Sequence, residues 1–290
     1  LVYTIWIHVC FNKEWQSNSS EPIKSKRLIF LIRHRIFLLP FQKVLPHDSP
    51  HSPPILHEGL EEGVGERTHD APEGRERVPH GGEHAHALSQ EPQMDVVGME
   101  TREEDVDEGL KDAKEGDYLI MQLEIPMDTV CYAAELAHKK KMKVVLNPAP
   151  AVALPERLLE NTDIICPNES ETEILTGIAV KDDASLAAAV SALYRAGVKN
   201  VVITMGGKGA YVTNGSVITH IPPRKVKVVD TTGAGDTFIG ALILKLSEGM
   251  PIEQSAEFAS VASSITITRE GAAKSIPTLD EVEKIINEKS

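Results

Sequence analysis

The stretch DTTGAGDTF, residues 230–238, sets two carboxylates, three threonine hydroxyls and a Gly-Ala-Gly step in front of a long apolar segment. If that segment is a helix, its first amides carry partial positive charge, and glycines at 233 and 235 leave an anion room to reach them. A phosphate suits such a mouth. Asp236, within the first turn, would hold a carboxylate beside that electropositive pocket, where its ordinary role is to accept a proton. Phosphoryl transfer needs an in-line nucleophile, a base and donors that stabilise charge on the moving group, and this one stretch could supply the last two. The same residues also admit a plain reading: Asp230 and the threonines cap a helix, while Gly233 and Gly235 relieve crowding. What else the chain brings to that place separates the two.

The elements around it alternate short apolar runs with amphipathic stretches, which predicts an α/β fold with a mostly parallel sheet. YLIMQLEIP, residues 118–126, reads as a buried strand that presents Gln122 and Glu124 before Pro126 stops it. Residues 128–141 follow as a helix with Val130, Ala134 and Ala137 on one face. KVVLNPAPA is a second strand, its exit at 147–151 held extended by alternating prolines. In TDIICPNESETEIL a strand over 164–166 turns at Pro167 into a helix, with Asn168 as cap and Glu171 three residues on. Residues 184–196 predict an alanine-rich helix ended by Gly197, and NVVITMGGKGAYVTN a strand, a glycine turn and a return strand. GSVITHIP and KVKVVD add two short strands; 238–247 and 252–268 are long buried helices, the second interrupted by Gly271. Ligands of open parallel sheets bind beyond the carboxyl ends of the strands, so Glu124, Asn147, Asn168 and Glu171 are candidates for one shared site.

The whole chain has 290 residues, 41% of them hydrophobic, with a net charge of −13. An acidic surface argues against nucleic acid and anionic membrane as partners and leaves small molecules. Cys10, Cys131 and Cys166 are scattered and form no C-x-x-C, so neither a disulfide framework nor a zinc site is suggested, and a cytoplasmic location is expected. Composition changes near residue 95: nine of the eleven histidines fall at or before His86, amid dense proline. Residues 1–100 therefore read as an atypical His/Pro-rich segment, disordered or translated from a wrong reading frame, ahead of a regular domain over 101–290. Residues 27–41 are apolar, but Arg33, His34 and Arg35 break them well short of a membrane span. The opening residues have no basic flank for a secretory signal. His80, His84 and His86 read as composition rather than a metal site.

QLEIP, NPAPA, PNESE, TMGGKGAYV, DTTGAGDTFIGAL and TREGAAKSIP occur in that order, and the last two thirds of the chain resembles the ribokinase (PfkB) family of sugar and nucleoside kinases, its ribokinase branch above all. The resemblance implies a three-layer α/β/α fold and ATP-dependent phosphorylation of a sugar hydroxyl, with D-ribose leading and other sugars or nucleosides as alternatives. It makes Asp236 the base and the amides of Gly233, Ala234 and Gly235 an anion hole. Asn168 and Glu171 would help hold Mg2+ and the phosphates; Thr204, Gly206 and Gly209 would border the nucleotide, and Ser260 would line the adenine pocket. Glu124 matches a sugar-binding carboxylate. A monovalent cation, K+, is implied beside the anion hole, held by Asp230 and Thr232 and by the turn through Thr266, Gly271 and Ser275. Lys208 reads as a solvated hairpin tip. The family's Asn-x-Asp strand, its lid and its GGKGAN glycine loop are not found in residues 1–100, so the first strands and the lid, often the dimer contact, are expected to be missing or replaced. A non-catalytic nucleotide-binding remnant is the other reading.

Overall fold

The short apolar runs become strands because their side chains find cover on both faces. The computed structural model describes residues 28–32, 35–39 and 101–288. Its strands are β1 (Leu28–Ile32), β2 (Arg35–Leu39), β3 (Tyr118–Met121), β4 (Lys143–Leu146), β5 (Ile164–Ile165), β6 (Asn200–Thr204), β7 (Ala210–Asn214) and β8 (Val217–Ile221). They form one sheet in the order β2-β1-β3-β4-β5-β6-β7-β8. From β1 to β6 the neighbours run parallel, and antiparallel pairs close each side. Residues 45–95 lie outside the described residues.

The helices are α1 (Glu103–Leu110), α2 (Met127–Lys139), α3 (Glu156–Glu160), α4 (Glu169–Thr176), α5 (Asp183–Arg195), α6 (Ala234–Ser247), α7 (Ile252–Thr266) and α8 (Leu279–Asn287). Successive strand residues point to opposite faces. Tyr118, Ile120, Val145, Ile164 and Val202 pack on one face with residues of α6, α7 and α8. Leu119, Met121, Val144, Leu146, Val201 and Ile203 pack on the other with residues of α1, α2, α3 and α5. The result is three layers, as expected. Each fully buried aliphatic side chain in them stabilises the fold by about 1.5–3 kcal/mol.

Several boundaries differ from the sequence reading for identifiable reasons. β3 stops at Met121 rather than running to 126, because the Leu123 amide donates to the Ala149 carbonyl (3.0 Å) and leaves the ladder. KVKVVD is not a strand: the amides of Val229 and Asp230 both donate to the Ile267 carbonyl (2.8 and 3.3 Å), and Val228 and Val229 stay exposed. α6 begins at Ala234, four residues before the apolar run that announced it, and Gly271 lies beyond the end of α7 instead of interrupting it. The helices α1, α3 and α8 were not foreseen.

Residues 28–32 and 35–39, in a segment expected to be disordered or poorly packed against an exposed sheet edge, are two strands in the structure. β1 pairs in parallel with β3, Leu28 opposite Tyr118 and Leu31 opposite Met121, and β2 returns beside it. Leu28 and Ile29 are buried, one in each core layer. The reason is the rule that exposes β3: an uncovered strand edge of apolar residues recruits any apolar run that can pair with it. This hairpin stands where the first strands of the family sheet were expected to be missing or replaced. The remaining sequence readings before residue 101, including His80, His84 and His86, lie outside the described residues.

Candidate functional site

The chemistry gathers where the parallel strands end. Gly233, the cap of α6, takes the left-handed conformation (φ 77°), which swings the chain from the 230–232 loop into the first helical turn. No side chain caps that end. A Cβ at Gly235 would meet no atom within 4 Å, so the approach to the first-turn amides is open. The Ala234 amide donates to the Thr231 carbonyl at 3.2 Å, a long turn bond that leaves it able to share its hydrogen with an anion.

Asp236 is the third residue of α6 and is half-buried. Its Oδ1 lies 3.5 Å from Nε2 of Gln122, the first residue after β3. From the end of β5, Asn168 opens α4 in a reciprocal capping box: its Oδ1 accepts from the Glu171 amide (2.9 Å) and its own amide donates to Glu171 Oε2 (2.8 Å). Burial pushes the Glu171 carboxyl above its ordinary range; the Asn168 amide opposes this, and the Asp236 charge adds to it. Two carboxylates thus feel one another across the crevice, an arrangement suited to a divalent cation. Asn147 is buried at the end of β4, and Glu124 is half-buried on the loop that follows Gln122.

Beside this crevice, Asn168 and Thr204 pair in a parallel bridge, and the Thr204 amide donates to the Pro167 carbonyl (3.0 Å). The turn between β6 and β7 carries Gly206 and Gly209 with φ of 51° and 90°. At Gly209 a Cβ would stand 2.1 Å from the Ile221 carbonyl, so only glycine lets this turn lie against the chain leaving β8. Ile221 and Pro222 then wall a cavity of about 470 Å³ together with Arg224, Phe258, Ser260 and Val261. Lys208, at the turn, is exposed and pairs with Glu169 (2.9 Å), in keeping with a solvated tip.

Of the residues matched to a monovalent-cation cage, the structure joins three directly. Asp230 accepts from the Thr232 amide through Oδ1 (2.9 Å) and from the Gly271 amide through Oδ2 (3.0 Å). These donors, Thr232 first, hold its carboxyl below the usual range. Thr266 is buried and meets α6 through Thr237, hydroxyl to hydroxyl at 3.2 Å. Ser275 is fully buried and donates to the Ala272 carbonyl (2.6 Å), without joining the Asp230 cluster.

Sequence reasoning passed over Gln122 as a partner of Asp236 and passed over the fastening of α6 to α7. Ser263 donates to the Ala234 carbonyl (3.0 Å), one turn before the Thr266 contact. The signal was present as polar residues three apart on a helix face otherwise given to Ala, Val and Ile. Among the described residues, Cys131 and Cys166 are buried with thiols pushed up by that burial, which makes them poor nucleophiles. Among the same residues no three His, Cys, Asp or Glu side chains group as a metal site, and no helix is long and apolar enough to cross a membrane.

The sequence profile of the pfkB family carbohydrate kinases matches residues 94–279. The chain is 44% identical over 167 residues to a ribokinase of Haemophilus influenzae, covering 58% of this chain and 55% of that protein. It is 47% identical over 173 residues to a bifunctional ribokinase/ribose-5-phosphate isomerase A of Fructilactobacillus sanfranciscensis, covering 59% of this chain and 32% of that one. The chain therefore spans about half the length of single-function ribokinases that it matches. Among solved structures, Arabidopsis thaliana ribokinase complexed with ribose and ATP superposes with a TM-score of 0.60 at 30% identity, over 66% of this chain and 62% of that one. Thermotoga maritima ribokinase superposes with a TM-score of 0.57 at 36% identity, over 66% and 63%. The motifs, the three-layer sheet and the profile match agree: the chain belongs to the pfkB family of carbohydrate kinases.

Proposed function

We propose that this chain carries the phosphoryl-transfer half of an ATP-dependent sugar kinase whose acceptor is D-ribose, phosphorylated at its 5-hydroxyl. One observation carries the reading: the Asp236 carboxylate stands half-buried in the open first turn of α6, in contact with the end of β3 and in electrostatic reach of Glu171. Support comes from relatives named ribokinase and from the Arabidopsis ribokinase complexed with ribose and ATP.

The ribose hydroxyl oxygen attacks the γ-phosphorus of ATP in line while its proton passes to a carboxylate oxygen of Asp236. A new O–P bond forms as the bond from that phosphorus to the β-bridging oxygen breaks, and ADP leaves. The amides of Gly233, Ala234 and Gly235 donate to the equatorial oxygens, where fixed dipoles in a water-poor site stabilise charge that develops only in the transition state. Asn168 and Glu171 would hold Mg2+ and the phosphates. Thr204, Gly206 and Gly209 would border the nucleotide, and the cavity lined by Ser260 would take its base. Glu124 would receive a sugar hydroxyl. Asp230, Thr232, Thr266, Gly271 and Ser275 would hold K+, which would raise the positive field behind the amides. The donor set fits such an ion, since it offers hard oxygen atoms on a loop already fixed by the Asp230 bonds.

A second reading rests on the first 100 residues, in which the family's Asn-x-Asp strand and GGKGAN loop are not found. A nucleotide-binding remnant would keep the ATP half and lose the sugar half, because an unlidded site admits water to the phosphoryl group. ADP formation measured with ribose, fructose, deoxyribose and a nucleoside, with and without K+, separates the two. Ribose-dependent turnover that K+ stimulates supports the kinase. ATP binding without turnover on any acceptor supports the remnant.

A further inference from the structure

Gln122 is 3% exposed and sits where β3 leaves the sheet, with its carboxamide oxygen out of reach of bulk water. Its Nε2 is 3.5 Å from Asp236 Oδ1. The opposite assignment of the amide would set its oxygen against a carboxylate, so the hydrogen-bond pattern fixes the nitrogen toward Asp236. Its Oε1 is then buried and finds no hydrogen-bond partner among the described residues. An unpaired buried acceptor destabilises the fold, and a methionine of similar length would avoid it. The site therefore bears a cost that packing alone does not explain.

We infer that Gln122 is a positioning residue for Asp236: its N–H holds Oδ1 and so fixes the rotation of the carboxylate that takes the proton of the acceptor hydroxyl. The inference deepens the kinase reading and rests on it for the role of Asp236. A neutral donor at the edge of hydrogen-bonding distance orients a carboxylate without neutralising it, and such contacts tighten when substrate closes the site. A side chain kept for this purpose trades stability for geometry.

The test uses Gln122→Met in the full chain, with three measurements. Thermal unfolding is expected at or above the wild-type temperature, since the unpaired oxygen is gone. Ribose-dependent kcat is expected to fall roughly tenfold, a part of what a positioned base contributes, with KM for ATP held within about twofold. In a double-mutant cycle read by urea unfolding, Gln122→Met is expected to shift the midpoint by different amounts in the wild-type and Asp236→Ala backgrounds. A lower melting temperature for Gln122→Met, an unchanged kcat, or equal midpoint shifts in the two backgrounds would each overturn the inference. If the wild-type chain makes no sugar-dependent ADP, the kinase reading fails by itself, and the melting temperature and the cycle still decide whether Gln122 holds Asp236.

Discussion

The fold shifts the carboxyl groups around the site in opposite senses. At Glu171 burial first, and then the Asp236 charge, raise the pKa, whereas the Asn168 amide lowers it. A carboxyl raised in the folded state binds protons more readily folded than unfolded, so the stability it confers falls as pH rises from the ordinary glutamate range near about 4.3. Glu171→Gln keeps an oxygen for the Asn168 amide and removes the charge. It is expected to match or exceed the wild type in thermal stability at pH 7, to lose that advantage below pH 4, and to lose Mg2+-dependent turnover. Lower stability at pH 7 would contradict this. Asp230 behaves in the opposite sense. Amides of Thr232 and Gly271 hold its pKa down, so its contribution is present above the ordinary aspartate range and fades as pH falls through the lowered value. Asp230→Ala is therefore expected to melt below the wild type at pH 7, with the gap closing in acid, and to abolish stimulation of turnover by K+.

At the scale of elements, the mouth of α6 is shaped by what is left out. Gly235→Ala adds a methyl group where no atom stands within 4 Å and gains helix propensity, so unfolding should shift upward by at most about 1 kcal/mol. The same methyl group enters the space assigned to the phosphoryl group, and kcat should fall even so. Equal activity of the two proteins would show that no anion comes this close. Gly209→Ala is the contrasting case, because its methyl group would collide with the Ile221 carbonyl and lower stability outright. These elements were legible in the sequence to different depths. The capping box at Asn168 and Glu171 could be read residue by residue, since it depends on a local spacing. The parallel sheet followed from apolar runs that are covered on both faces. KVKVVD misled because β-branched residues favour strands wherever a ladder is free, and here both terminal amides are taken by Ile267. Gln122 was visible as a polar strand end, but its contact with Asp236 spans 114 positions and exists only once the layers are stacked.

For the whole molecule, the strands at 28–32 and 35–39 are the part that composition announced least. Local composition gave these strands no periodic signal, yet β1 pairs with β3 and places Leu28 and Ile29 one in each core layer. Ile29→Ala should cost about 2–5 kcal/mol in urea unfolding if that strand completes the sheet. A neutral result would mean that β3 does without it. The hairpin supplies a sheet edge but none of the sugar-binding motifs, so the acceptor half of the site is the part of the account most exposed to test. The central claim is that one carboxylate at a helix mouth takes the proton of an alcohol during phosphoryl transfer. The most direct measurement is ribose-dependent ADP formation by wild type and Asp236→Asn at matched ATP saturation, with ATP affinity and melting temperature measured on both. In Asp236→Asn kcat is expected to fall by roughly 10²–10⁴ with ATP affinity and melting temperature preserved. An Asp236→Asn protein that turns over ribose at the wild-type rate would contradict it.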